Sequence, residues 1–335
     1  MEYYPKDGYI FDTQTEIQKE FIRRITEDGI DAALTWLEPV KAETECSYPA
    51  ELKLEWKKAE GGLSVVEIAK EPSFQQPFVI RTMEASCRLT NLEIGTRYYW
   101  RVNGGEVHTF TTCGQSPRFI RIDGLLNVRD LGGNRIRQGM LYRGSEMDRT
   151  FTITEAGKVT FCEQLGIRTE LDLRGDWLGK ISASPAGENV QLVQLPYRPY
   201  KEVFEEQHRK GICQIMEFLA DERHYPIYFH CMGGADRTGM IALYLRALLG
   251  ESDEEIHLDY ELTALSMYAA GAAEGANGFR RRNSSYYMEF LQMLDAYAPG
   301  EPLRVQVRAF LRSCGVTDQV MERVARILRK SEKSE

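Results

Sequence analysis

Cys231 and Arg237 stand six residues apart in His230-Cys231-Met232-Gly233-Gly234-Ala235-Asp236-Arg237-Thr238-Gly239. A cysteine thiolate is a strong nucleophile, and a guanidinium forks two donors onto phosphate oxygens. Gly233 and Gly234 permit the backbone angles of a tight cradle. The backbone N–H groups of Met232, Gly233, Gly234, Ala235 and Asp236 would then bind an anion at a helix N-terminus. Thr238 carries a hydroxyl near enough in sequence to contact the Cys231 sulfur and ease its departure. The reading is catalytic phosphate chemistry through a covalent phosphocysteine, with His230 orienting the loop.

These residues need a strand before them and a helix after them. Pro226–Phe229 is a short apolar run, and Thr238–Leu249 has the length and composition of a helix. The surrounding pattern alternates strands and helices. Strands are expected at Phe119–Ile122, Arg168–Leu173 and Val190–Leu195, with helices over Thr154–Leu165 and Phe204–Leu219. Such alternation predicts an α/β domain, a central, mostly parallel sheet flanked by helices. From Ser252 the chain reads mostly helical, and residues 331–335 form a frayed tail.

The first third differs. Ala32–Leu37, Ala50–Lys57, Val79–Ile80 and Arg97–Val102 read as strands, and Asn103-Gly104-Gly105 supplies a hairpin turn. Strands at this spacing predict a small all-β sandwich over 28–113, after a leader of residues 1–27. Leu92-Glu93-Ile94-Gly95-Thr96-Arg97-Tyr98 resembles the fibronectin type III signature, with Ile94 in place of a proline. The resemblance implies a tyrosine corner at Tyr98 and a core tryptophan at Trp36. The aromatic residues here are expected as core, and partner docking is the one function foreseen for the sandwich.

The 335 residues suffice for two domains, and 43% hydrophobic with 27% charged residues describes a globular chain. A formal net charge of −8 argues against broad nucleic-acid or anionic-lipid binding. No stretch is apolar and long enough to insert in a membrane. The seven cysteines show neither CxxC pairs nor metal-ligand spacing, so no metal is expected. Reduced thiols favour the cytoplasm over secretion with a removed signal peptide.

HCMGGADRTG is similar to the HCxxGxDRTG loop of bacterial protein-tyrosine and dual-specificity phosphatases. Asn127–Gly133 (NVRDLGG), Tyr142–Ser145 (YRGS), Asp172–Arg174 (DLR) and Asp259–Thr263 (DYELT) match further segments of that family, so the resemblance spans about 118–330. It implies phosphomonoester hydrolysis without a cofactor, with Cys231 as nucleophile, Arg237 as phosphate binder and a phosphorylated protein or small molecule as substrate. The family's lysine before Asp-Arg is Ala235 here, which counts against the alternative of phosphoinositides or inositol phosphates. A further alternative is a phosphate-binding pseudoenzyme.

A leaving alkoxide or phenolate also needs a proton. The window about thirty residues upstream of Cys231 holds Glu202 but no aspartate. The resemblance favours Asp236, whose other reading is a structural acceptor of loop N–H groups. Asp172 and Asp176, flanking Arg174, are reserve candidates; Asp130 is expected to fix its turn. A lid is expected between Ser266 and Ser285, where Gly271, Gly275 and Gly278 precede Arg280-Arg281-Arg282.

Overall fold

The computed structural model describes residues 3–41, 44–57, 62–175, 182–266 and 285–330. It divides into two units, Met1–Thr15 with Tyr48–Arg121, and Glu16–Ser47 with Ile122–Glu335. The expected lid, Asp176 and the tail at 331–335 lie outside the described residues.

The first unit comprises β1 (Tyr3–Tyr4), β2 (Tyr9–Asp12), β3 (Leu52–Trp56), β4 (Ser64–Ala69), β5 (Phe78–Thr82), β6 (Ser86–Leu89), β7 (Arg97–Val102), β8 (His108–Cys113) and β9 (Arg118–Phe119). One sheet has the order β1-β3-β6 and another β2-β8-β7-β4-β5. In β3, β4, β7 and β8 alternate residues turn inward, as the pleat requires. Leu52, Leu54 and Trp56 of one sheet and Val66, Ile68, Trp100 and Phe110 of the other share a single core. The hairpin at Asn103-Gly104 joins β7 to β8. Tyr98 Oη accepts the N–H of Glu93 at 2.8 Å, a bond back to the chain five residues upstream.

Two expectations fail here. The leader is not set apart from the sandwich, because β1 pairs with β3 and β2 pairs in parallel with β8. Ala32–Leu37 is helical and contributes no strand to the sandwich. It lies within the helix Ile30–Lys41, which follows the helix Glu16–Glu27, and both group with the second unit. Ile30, Ala33 and Leu37 are its buried residues, a three-to-four-residue spacing, and Gly29 at φ +85° separates the two helices. Trp36 is only half-buried, with Arg24 over its ring at 5.1 Å; Trp100 is the fully buried tryptophan of the sandwich.

The second unit runs α1 (Glu16–Glu27), α2 (Ile30–Lys41), β10 (Arg129–Asp130), β11 (Leu141–Gly144), α3 (Glu155–Val159), β12 (Thr169–Asp172), β13 (Gln191–Gln194), α4 (Glu206–Leu219), β14 (Ile227–His230), α5 (Asp236–Leu249), α6 (Asp253–Glu261), α7 (Ser285–Asp295), α8 (Leu303–Ser313) and α9 (Asp318–Leu328). Its strands have the order β13-β12-β14-β11-β10. β14 pairs in parallel with β11 and β12, β13 in parallel with β12, and β10 antiparallel to β11. All four residues of β14 are buried, as suits a central strand.

α5 is buried on every face from Thr238 to Leu249, so it runs through the core and not along its surface. Gly250, left-handed at φ +78°, ends it. Phe310 and Val307 of α8, Met321 and Val324 of α9, and Ile215 and Leu219 of α4 belong to the same core. Each such side chain contributes on the order of 1.5–3 kcal/mol by leaving water. The chain turn between β14 and α5 is thereby held between two buried elements.

Candidate active site

The loop from Cys231 to Ala235 leaves β14 and enters α5. Its carbonyls are all engaged from outside. His230 Nδ1 donates to Cys231 O at 3.0 Å, and Glu146 N–H to Met232 O at 2.8 Å. Asn127 Nδ2 donates to Gly233 O at 2.9 Å, Arg143 Nη2 to Gly234 O at 2.6 Å, and Gly239 N–H to Ala235 O at 2.9 Å. Across a trans peptide the C=O and the following N–H point in opposite directions. Five outward carbonyls therefore turn the N–H groups of Met232, Gly233, Gly234, Ala235 and Asp236 to the other side, as an anion cradle requires.

Gly234 makes this close approach possible. It has φ +66°, and a Cβ there would lie 2.4 Å from both C and O of Gly144 in β11. No side chain fits between loop and strand.

The polar groups behind the loop are buried and paired. Arg143 and Arg129 both reach Asp259 of α6, and Arg246 of α5 lies 3.7 Å from the same carboxylate. Arg129 also donates to Asn127 Oδ1. Burial alone would raise the Asp259 pKa, but Arg143, Arg246 and Arg129 hold it far below the usual carboxylate range. One anion thus fixes three guanidinium groups, and one of these holds the loop. Asn127, Arg143 and Asp259 come from the NVRDLGG, YRGS and DYELT segments. For Arg143, a charged residue inside the short strand Leu141–Gly144 was the signal.

Cys231 is buried. Burial pushes its thiol up, yet the Arg237 charge and the Thr238 hydroxyl and N–H outweigh this and leave the pKa below the ordinary thiol value. The Thr238 hydroxyl meets no strict hydrogen-bond partner among the described residues, but lies near enough to favour the thiolate. The contrast with other cysteines is sharp. Burial raises Cys46, Cys162 and Cys213, and pushes Cys87 and Cys314 up to about 11.

His230 is fully enclosed, its Nε2 2.9 Å from Glu170 Oε1. Its Nδ1 faces a carbonyl, which can only accept, so that nitrogen carries the donated proton. Burial opposes the charged ring, but Glu170 and then Asp172 raise its pKa. Glu170 carried no signal in the sequence.

The proton-donor candidates separate clearly. Asp172 lies against Arg174, with Oδ1 2.9 Å from Nε and Oδ2 3.0 Å from Nη2. Despite burial, Arg174 and His230 lower its pKa, so it is an ionised structural anion and unsuited to donating a proton. Arg174 is itself enclosed by Asp172, Glu146 and Asp148. It is buried, and its charge is met by these carboxylates. Asp130 accepts the N–H of Gly132 at 2.8 Å and of Gly139 at 2.7 Å, the turn-fixing role expected. Glu202 is solvated and 3.8 Å from Arg198. Asp236 is half-buried, close enough for its charge to bear on the Cys231 sulfur, and accepts the hydroxyl of Tyr200. A cavity of about 150 Å³ is lined by Gly175, Tyr197, Arg198, Pro199 and Arg237.

Comparison with known proteins agrees in part. Residues 120–330, more than half of the chain, match the family model described as the tyrosine phosphatase family. No curated protein matches the chain. The chain is similar to the crystal structure of the core catalytic domain of the PP-IP phosphatase SIW14 from S. cerevisiae in complex with citrate. The identity is 15%, over 50% of this chain and 93% of that one, at a TM-score of 0.31. A second structure of the Siw14 catalytic core shows 15% identity over 50% and 98%, at 0.28.

Proposed function

The chain belongs to the tyrosine phosphatase family, and from that premise we propose that it hydrolyses phosphotyrosyl side chains of proteins through a phosphocysteine. The observation that carries the reading is a buried thiol held towards its thiolate at the floor of a loop whose carbonyls are all bonded outward. That arrangement suits a phosphoryl group and has no evident structural use.

In the first step the Cys231 thiolate attacks phosphorus, an S–P bond forms, and the P–O bond to the tyrosyl oxygen breaks. Asp236 gives its proton to that oxygen. The N–H groups of Met232 to Asp236 and the fork of Arg237 take the charge on the three equatorial oxygens. In the second step water attacks phosphorus, Asp236 takes its proton, and the S–P bond breaks to return the thiolate, with Thr238 donating to the departing sulfur.

An aromatic substrate suits the rim. Met232 of the loop is exposed, and Tyr286 lies against Tyr200 with ring centroids 5.8 Å apart. Ala235 is buried and offers no cation for additional phosphates. The test is an assay without added metal on a phosphotyrosine peptide, a phosphoserine peptide, a phosphoinositide panel and inositol hexakisphosphate. Phosphotyrosine turnover lost in Cys231→Ser is the expected result. Turnover surviving that variant would end the phosphocysteine mechanism. A preference for the inositol substrates would overturn the substrate assignment, and phosphopeptide binding without turnover would make the chain a binding module.

A further inference from the structure

Tyr200 is the least expected residue at this site. Its hydroxyl donates to Asp236 Oδ1 and lies 2.5 Å from the hydroxyl of Tyr260, so the three groups form a chain from α6 to the head of α5. Tyr200 follows Pro199, which lines the cavity beside Arg237. Its backbone is left-handed, φ +57°, a conformation that a bulky aromatic residue avoids unless its surroundings impose it.

The other end of the chain is anchored. Tyr260 is buried and stacks on Tyr287, with centroids 4.2 Å apart and planes 12° from parallel. Gly239 makes room for it, since a Cβ there would meet the Tyr260 ring at 2.9 Å. The glycine after Arg237-Thr238 thus admits the ring that holds Tyr200. The same α6 segment carries Asp259, which fixes the back of the loop.

We propose that Tyr200 is a positioning residue that fixes the plane of the Asp236 carboxyl, with Tyr260 as its anchor, so that proton transfer to the leaving oxygen occurs in line. This rests on the reading of Asp236 as proton donor. A carboxyl on a half-exposed helix head would otherwise rotate about its side-chain bonds, and misplacement of about 1 Å costs roughly a hundredfold in such a step. Tyr200 acts through its bond to the Asp236 carboxyl.

The test uses Tyr200→Phe, Tyr260→Phe, Asp236→Asn and the double variant Tyr200→Phe/Asp236→Asn. Each is assayed on aryl phosphates whose leaving phenols span a wide pKa range, with thermal unfolding as a check on folding. A proton donor matters most for the poorest leaving groups. Asp236→Asn should therefore steepen the dependence of kcat on leaving-group pKa. Tyr200→Phe should steepen it in the same sense, with a roughly ten- to hundredfold loss on the poorest leaving group and about twofold on the best. Tyr260→Phe should act likewise but less. The double variant should match Asp236→Asn alone, because Tyr200 acts only through that carboxyl. An equal loss on every substrate, an unchanged slope in Tyr200→Phe, or additive losses in the double variant would overturn the proposal. An unchanged slope in Asp236→Asn would instead remove the proton donor itself, and Tyr200 with it.

Discussion

Replacing Gly234 by alanine tests the cradle at its tightest point. The new Cβ would stand 2.4 Å from the carbonyl carbon and oxygen of Gly144. Carbon contacts of this kind settle at about 3.5 Å, so loop or strand must yield by roughly 1 Å. Both neighbours are backbone, and β11 is tied by its parallel pairing with β14, so the loop is the part that moves. The left-handed backbone, φ +66°, adds about 1–2 kcal/mol for a residue with a Cβ. Overpacking adds about 1–3 kcal/mol. A loss of about 2–5 kcal/mol corresponds to a fall in Tm of roughly 4–20 °C for a unit of this size. Displacing the amides by about 1 Å should lower kcat on an aryl phosphate roughly a hundredfold. The measurements are kcat well below the variant's Tm and a thermal scan, with Gly62→Ala as control because a Cβ there meets nothing within 4 Å. A folded Gly234→Ala protein with kcat within about twofold of the parent would refute the argument that close backbone contact sets the cradle.

Three further outcomes follow from the charges around the loop. Asp259→Asn leaves Arg129, Arg143 and Arg246 without their shared anion and should cost about 3–5 kcal/mol, read from the urea midpoint. Because the folded Asp259 pKa is depressed, its contribution is complete above the unfolded value of about 3.9 and fades only as pH falls through the folded value. The gap between parent and variant should therefore be flat near neutrality and close only in strong acid. Thr238→Val removes a donor to the thiolate, so the pH midpoint of iodoacetamide alkylation at Cys231 should rise; an unchanged midpoint would count against its contact with sulfur. Glu170→Gln removes the group that raises His230. A raised folded pKa contributes stability below the unfolded value of about 6.5 and loses it as pH rises through the folded value. The variant should thus be most destabilised in mild acid, and denaturation midpoints that converge there would contradict this.

Much of the site was legible because it is local. A strand, a cysteine, five residues, an arginine and a helix must lie next to one another in space, whatever the rest of the chain does. Strand alternation in Leu52–Trp56 and Arg97–Val102 is local in the same way, and so is the bond from Glu93 to Tyr98. Ala32–Leu37 was misread because a short apolar run has no decisive period. Only its flanks, Gly29 before it and Asp31 in the first turn, mark it as helix.

The sequence by itself therefore determined the strand, the loop from Cys231 to Arg237 and the helix that follows, since these depend on neighbours a few residues apart. Only the tertiary structure decided which carboxylates are structural. Asp172 left the list of proton donors because Arg174 and His230 surround it, and Asp259 became the hub of the loop support because three arginines converge on it. Arg143 and Asp259 are 116 positions apart, and Tyr200 and Tyr260 are 60. Charge and hydrogen bonding act over a few ångströms, and at such separations along the chain only the fold sets the distance.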